Sequence, residues 1–551
     1  MTEYPWISLR GRRAMLGALS LSIATACAGA PSGSSAPNIA SSSLPRTRAE
    51  RTNYLETSHY DDVVAFLDSL KKLNAPLAFG SIGRTSESRE IPYVIASRPL
   101  VHSPEEARAT GKPIVYVQGN IHAGEVEGKE ALQALLRDLT FAQGKNVLDS
   151  IVLVAVPIYN ADGNERFLPQ ERQRGSQNGP EMVGQRPNAQ ELDLNRDYIK
   201  TEAPETRASL SMFNAWDPDV FVDLHTTDGS FHGYALTYSP SLNPAAPLGD
   251  YTRVLLNELR NRVRSRNGYE IYDYGNFSDG GGREVSTDSV HSGWYTYDHR
   301  PRFGTNYYGL RNRISILSEA FSHDPFERRV KSTYAFTTQL LSLVAERGAE
   351  IRGLERTAER EQTAASLPMI AIRSVMPKAT TSGPVRYEIL ARTGDSSRTE
   401  PGVPKGFRRT GEFRTRTMPV FDHFVPNVSH RLPQGYWLDD TAAVSRLRLH
   451  GITVDAAQGQ RLARAEKYVI DSVSRSPRPF QGHSEVRLFG RWSPQTELPT
   501  AGYLVRTSQP LGRLASYLLD PESDDGLTTW NVFDSALGPQ RTYPVLRVAL
   551  P

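Results

Sequence analysis

Short apolar runs alternate with longer helical patterns from about Thr52 to about residue 365. The clearest runs are Ile114-Val-Tyr-Val117, Ile151-Val-Leu-Val-Ala-Val156, Val220-Phe-Val222 and Ile314-Ser-Ile-Leu317. Each has the length of a strand buried on both faces. Helical spacing runs over Tyr60 to Leu73, where Val63, Val64, Phe66, Leu67 and Leu70 recur, and over Lys129 to Phe141, Tyr251 to Arg264 and Thr333 to about Arg360. Strands alternating with helices predict an α/β unit, a sheet with helices on both faces. Beyond about Leu367 the pattern changes to short alternating segments such as Arg386 to Ala391, Tyr436 to Leu438 and Gly502 to Val505. These predict a smaller β-rich C-terminal domain, a sandwich packed on the first unit, with a helix near Gly459 to Val473.

The boundaries that follow are 52–367 for the α/β unit and 368–551 for the β-rich one. Ahead of them, Arg10, Arg12 and Arg13 precede an apolar stretch from Ala14 to about Ala26 that ends in Ala24-Thr-Ala-Cys27. A basic start, an apolar stretch too short to span a bilayer and small residues before the cut make 1–27 a secretory signal. Cys27 stands where a bacterial lipoprotein is cleaved and acylated, with chance placement as the alternative. Arg12-Arg13 resembles a twin-arginine export signal and equally an ordinary one. The Gly/Ser/Pro/Ala-rich tract that follows predicts a flexible linker over 28–51.

Composition narrows the chemistry. The 551 residues suit two folded units plus a tail. A net charge of +3 favours neither nucleic acid nor an acidic surface as partner. The single cysteine excludes an intrachain disulfide and a thiolate-rich metal site, so any metal must be held by His and carboxylates.

Polar residues cluster just after the predicted strands: His122 and Glu125 after the first, Asn160 and Asp162 after the second, His225 after the third and Glu319 after the fourth. Ligands of open α/β sheets bind beyond the carboxyl ends of strands, so these groups are expected to converge. A hydrolytic zinc takes three ligands from His and Asp/Glu and keeps one position for water. The spacing in His122-Ala-Gly-Glu125 lets an imidazole and a carboxylate from one turn reach one ion, with Gly124 permitting close approach, and His225 is the third ligand. A surface turn with a salt-bridged Glu, and a structural histidine at a strand end, are the plainer readings of these residues.

Asn195 and Arg196 add a different requirement. A guanidinium matches a carboxylate with a planar fork, and a neighbouring amide can donate to the same group. The plainer reading is a turn in which Asn195 caps and Arg196 pairs with Asp193 or Asp197; for Arg186 it is a solvated loop charge. Glu319, at the end of an apolar strand, suits a general base, or else a paired structural carboxylate.

In order along the chain, H-x-x-E at 122–125, Asn-Ala-Asp-Gly at 160–163, Asp-Leu-Asn-Arg at 193–196, the strand-borne His225 and Glu319 resemble the zinc carboxypeptidase family over about residues 52–345. The resemblance implies a mixed sheet for this unit and one zinc on His122, Glu125 and His225, with Glu319 as general base and Arg186 stabilising the oxyanion. It further implies that Asn195 and Arg196 clamp the free C-terminal carboxylate of a peptide. It also implies a substrate-capping tyrosine ahead of the Glu; of Tyr295, Tyr297, Tyr307 and Tyr308, Tyr297 fits the spacing best. Ser318-Glu319-Ala320-Phe321 departs from the family's usual setting for that Glu, and no residue within 296–313 is identified as the base of a specificity pocket.

The expected function is an exported zinc metallocarboxypeptidase, periplasmic or in the cell envelope, touching membrane only through a lipid on Cys27. The alternatives are a zinc amidase or carboxypeptidase trimming peptidoglycan peptides, and an inactive binding protein. His423, His430, His450 and His483 lack ligand spacing and are expected to be structural. Residues 504–515 and 519–526 resemble tails of some bacterial relatives and suggest no chemistry.

Overall fold

The computed structural model describes residues 40, 43–227, 229–277, 293–364, 367–378, 381–395, 400 and 403–551. The signal over 1–27, Cys27 and most of the predicted linker lie outside the described residues. The end of that linker is a correction. Arg48–Arg51 is a helix capped by Thr47, and Glu50 pairs with Arg137 on the body of the fold at 2.6 Å. The capping pair Thr47/Glu50 outweighs the loop-like composition around it. No helix among the described residues is long and apolar enough to cross a membrane.

Eight strands form the central sheet in the order Leu77–Arg84, Glu90–Ala96, Val152–Val156, Ile114–Gly119, Val220–Thr226, Ile314–Ala320, Leu236–Pro240 and Ile271–Asp273. The four strands from Val152–Val156 to Ile314–Ala320 run parallel, and both flanks join them antiparallel. The predicted mixed sheet is therefore present, and its inner strands are buried on both faces, which is why they read as unbroken apolar runs.

Alternation along those strands separates two cores. Val115, Val117, Leu153, Val220, Val222 and Ile316 face one side, packed with the helices Tyr60–Lys72, Glu127–Phe141, Gly249–Asn267 and Phe326–Thr363. Tyr116, Val154 and Phe221 face the other, beneath Pro204–Trp216 and Gly304–Leu310. This second core does not stop at the α/β unit. It continues without a break through Tyr436, Leu447, Ile470, Tyr517 and Tyr543 of the C-terminal half.

That half contains a six-stranded sheet ordered Asp455–Ala456, Tyr503–Arg506, Gly435–Leu438, Val545–Ala549, Arg464–Arg475 and Val486–Gln495, with helices Thr441–Leu449 and Gly512–Leu519. A long hairpin, Thr381–Arg392 with Phe407–Phe421, joins it to the first unit, because its second strand pairs with Trp294–Tyr295. The helix expected near 459–473 is a strand instead. Ala465, Tyr468 and Ile470 are buried there, and β-branched Val469, Ile470 and Val473 suit a pleated surface better than a helix.

Candidate active site

The strand ends set the site. Ile114–Gly119 delivers the turn carrying His122 and Glu125, Val220–Thr226 carries Asp223 and His225, and Ile314–Ala320 places Glu319 opposite His225 in the ladder. Glycines make the turn fit: a Cβ on Gly119 would lie 2.9 Å from the backbone of Gly128, and one on Gly124 would lie 2.8 Å from the Gly184 carbonyl.

Among the described residues, His122, Glu125 and His225 form a group whose ligand atoms lie within 4.8 Å of one another, all three buried. The two Nδ1 atoms turn inward to Glu125, His122 to Oε1 at 3.0 Å and His225 to Oε2 at 2.9 Å. Both Nε2 atoms turn outward to carboxylates, His122 to Asp193 at 3.0 Å and His225 to Asp223 at 2.9 Å. Carboxylates behind imidazoles in this way fix ring orientation and raise ligand basicity, so the donor set fits zinc.

Electrostatics keep the carboxylates ionised. Burial works against charge on Glu125, but His122 and Arg174 outweigh it and hold the carboxyl well below its ordinary range. Asp193 is likewise held far down against burial, by His122 and Arg186. Against the burial of its ring, Asp223 and Glu125 raise the His225 imidazole.

The eight residues given a role in the sequence line one cavity of about 70 Å³: His122, Glu125, Arg186, Asn195, Arg196, His225, Tyr297 and Glu319. Arg186 donates from Nε to Asp193 at 2.9 Å, with a terminal nitrogen 3.6 Å from Glu125. Asn195 accepts from the Gly304 amide at 2.9 Å. The Arg196 guanidinium lies 3.7 Å above the Phe303 ring and donates to the Asn195 carbonyl; no carboxylate among the described residues pairs with it. Burial pulls its pKa below the ordinary value. The alternative pairing of Arg196 with Asp193 or Asp197 is thus absent.

Of the four tyrosines, Tyr297 alone lines the cavity. Tyr295 stacks on Phe421, while Tyr307 and Tyr308 are buried in the core. Burial raises the Tyr297 phenol and keeps it protonated. Asn160 and Asp162 do not join the cavity. Asn160 supports it from below by donating to the carbonyls of Ile121 and Arg186. Asp162 turns away to Arg89 and Thr85, both at 2.7 Å, because the turn after its strand folds back over the Leu77–Ala96 hairpin.

Several contributors were given no role by the sequence reading. Asp223 is two residues before His225 on one strand, so period-two alternation alone puts both side chains on one face. Arg174, which grips Glu125 at 2.9 Å and donates to the carbonyls of Thr226 and Thr227, sits in a loop without any spacing signal. Tyr274, Phe303, Thr305 and Leu317 complete the walls.

Residues 63–308 match the family described as zinc carboxypeptidase. Carboxypeptidase 2 of Trichophyton tonsurans is 24% identical over 494 residues, covering 84% of this chain and 81% of its own length. Carboxypeptidase D of Mus musculus is 32% identical over 160 residues, 26% of this chain and 10% of its own. A metallo-carboxypeptidase from Burkholderia cenocepacia is 17% identical, covering 52% of this chain and 70% of that chain with a TM-score of 0.39.

Proposed function

This chain belongs to the zinc carboxypeptidase family through residues 63–308, and on that premise we propose that it removes the C-terminal residue of peptides carrying a free carboxylate. The observation that supports the choice is Arg196, a desolvated cation on the cavity wall without a carboxylate partner among the described residues, beside Asn195 and in the same cavity as the His-Glu-His cluster. A substrate carboxylate satisfies it; an internal peptide bond does not.

His122, Glu125 and His225 would hold zinc, which when bound supplies Lewis-acid polarisation of the scissile carbonyl and lowers the pKa of water. Glu319 takes the proton of the attacking water and returns it to the departing amine. Arg186 stands where negative charge grows on the carbonyl oxygen, and charge fixed in advance is most effective there. Arg196 and Asn195 hold the terminal carboxylate, and Tyr297 donates its phenolic proton over the bound residue.

The test incubates mature, zinc-loaded protein with a peptide library in free-acid and C-terminally amidated forms, with and without chelator, and reads masses. Chelator-sensitive loss of single residues from free acids alone supports the reading; equal trimming of amides overturns it. The basic and apolar run before Cys27 supports export to the envelope with a lipid on that cysteine. The intact mass of the membrane-extracted chain tests it, and an unmodified Cys27 or an uncleaved leader sinks it.

A further inference from the structure

The cavity wall that meets the proposed carboxylate clamp is one short segment, residues 297–306. Its side chains divide between two directions. Tyr297, Phe303 and Thr305 line the cavity, whereas His299, Arg300 and Arg302 reach into the C-terminal half. His299 Nε2 meets Asp524 at 2.9 Å. Arg302 meets Asp525 three times: the backbone amide donates at 2.6 Å, Nε at 2.9 Å, and a terminal nitrogen lies at 2.8 Å. Glu485 bridges Arg302 at 2.6 Å and Arg300 at 3.1 Å.

These carboxylates are themselves fixed. Asp525 is fully buried and accepts from the Trp530 indole at 3.0 Å. Asp524 accepts from the Tyr517 hydroxyl and from the Ser374 amide at 3.0 Å. One buried carboxylate therefore holds both backbone and side chain of Arg302, and the next two residues are the ones that touch the clamp. Phe303 forms the floor under Arg196, and the Gly304 amide takes Asn195 Oδ1, which leaves Asn195 Nδ2 on the side of His225 at 3.4 Å.

We propose that Asp525 and Glu485, with Asp524 in support, are positioning residues for carboxylate recognition, so that the C-terminal half builds the substrate wall of the other unit. This rests on the carboxypeptidase reading above. It assigns a task to residues 519–526, a stretch that suggests none by itself. The physical basis is that ion pairs closed in a buried setting hold geometry far better than exposed ones, and small displacements of a positioning group are costly. Because the clamp contacts the terminal carboxylate and not the reacting carbonyl itself, loosening it should weaken substrate binding more than the chemical step.

The test uses the full chain, with Asp525→Asn and Glu485→Gln made singly and each combined with Arg196→Gln. Zinc content, thermal midpoint, kcat and KM are measured on matched free-acid and amidated peptides. The expected result is a KM for free acids raised by about ten-fold with kcat within about two-fold and zinc retained. Any residual turnover of the amides stays as in wild type, so discrimination shrinks. Adding either change to Arg196→Gln should cost nothing further, since both act through one clamp. Unchanged KM, or a fall in kcat that adds fully to the Arg196 effect, overturns the inference. Should Asp525→Asn fail to fold, Glu485→Gln carries the test, because it leaves the Arg302–Asp525 pair in place. A wild type that does not distinguish acids from amides sinks the carboxypeptidase reading and this inference together; variants that leave wild-type discrimination intact sink the inference alone.

Discussion

The His122–Glu125–His225 cluster and the Asn195–Arg196 wall share a cavity but are held by different parts of the chain. Among the described residues, the main orienting partners of the cluster come from the strand ends and the loops between them: Asp193, Asp223, Arg174 and the Thr226 amide, which donates to Glu125 at 3.1 Å, while Asn195 Nδ2 of the wall touches the cluster at His225, 3.4 Å away. The wall's supports come from Phe303 and Gly304, and behind them from Glu485, Asp524 and Asp525, about 180 residues and more along the chain. Chemistry is thus built into the sheet, while recognition depends on how two halves of the molecule meet. Changes confined to one arrangement should leave the other's readout alone.

The largest effects belong to the cluster and its base. Glu319→Gln keeps the zinc ligands and should retain metal while kcat falls by about 10²-fold or more, the usual contribution of a positioned base; near-normal turnover would remove Glu319 from that role. His122→Ala should lose zinc as well as activity, read by metal analysis of the purified protein. Next comes Arg196→Gln. Loss of a buried charged partner costs roughly 2 kcal/mol or more, so KM for free acids should rise by about 30-fold while amides are unaffected. If zinc content falls with it, the separation between the two arrangements is false.

A smaller effect should come from behind the metal. Asp223→Asn leaves all three ligands in place but weakens the outward hold on His225, and loss of such a partner typically lowers zinc affinity by about 10–100-fold. Competition with a chromogenic chelator measures it. KM for free acids at saturating zinc should stay at the wild-type value, and a rise there would show that metal centre and clamp share their support.

How far the sequence discloses this follows from the same division. His122, Glu125 and His225 are legible because a turn spacing of three and a strand end are local geometry, and the buried parallel strands that carry them announce themselves as apolar runs. Asp223 is legible in retrospect through its strand's alternation. Asp525 and Arg302 are not, since an ion pair between residues 223 positions apart leaves no spacing to read. The same holds for the shared core: Tyr116 and Tyr517 each look like ordinary buried aromatics, and only the fold puts them in one cluster. The strand Arg464–Arg475 misleads for another reason: its mixed charged and apolar run fits a helix until the neighbouring strands fix its period.

The smallest prediction probes the joint between the halves. His450, at the end of the Thr441–Leu449 helix, is fully buried, with Nδ1 hydrogen-bonded to the Tyr307 hydroxyl at 2.8 Å. Burial, aided by Arg311, pushes its pKa from 6.5 down to about 3. His232, on the α/β side, is pushed down to about 3 by burial as well. A histidine held neutral in the fold stabilises it above its unfolded pKa, and that stability is lost as pH falls below about 6.5 because the unfolded chain takes up the proton. Each such group contributes a slope approaching about 1.4 kcal/mol per pH unit. Between about pH 6.5 and about pH 5.5 these two histidines should therefore make urea unfolding easier toward acid, read as the difference in slope between wild type and variant. His450→Gln, whose amide oxygen can still accept from Tyr307, should remove one proton's worth of that slope and leave His232's. An unchanged slope would mean that His450 is hydrated or already charged in the folded protein, and that the two halves meet less tightly there than the clamp requires.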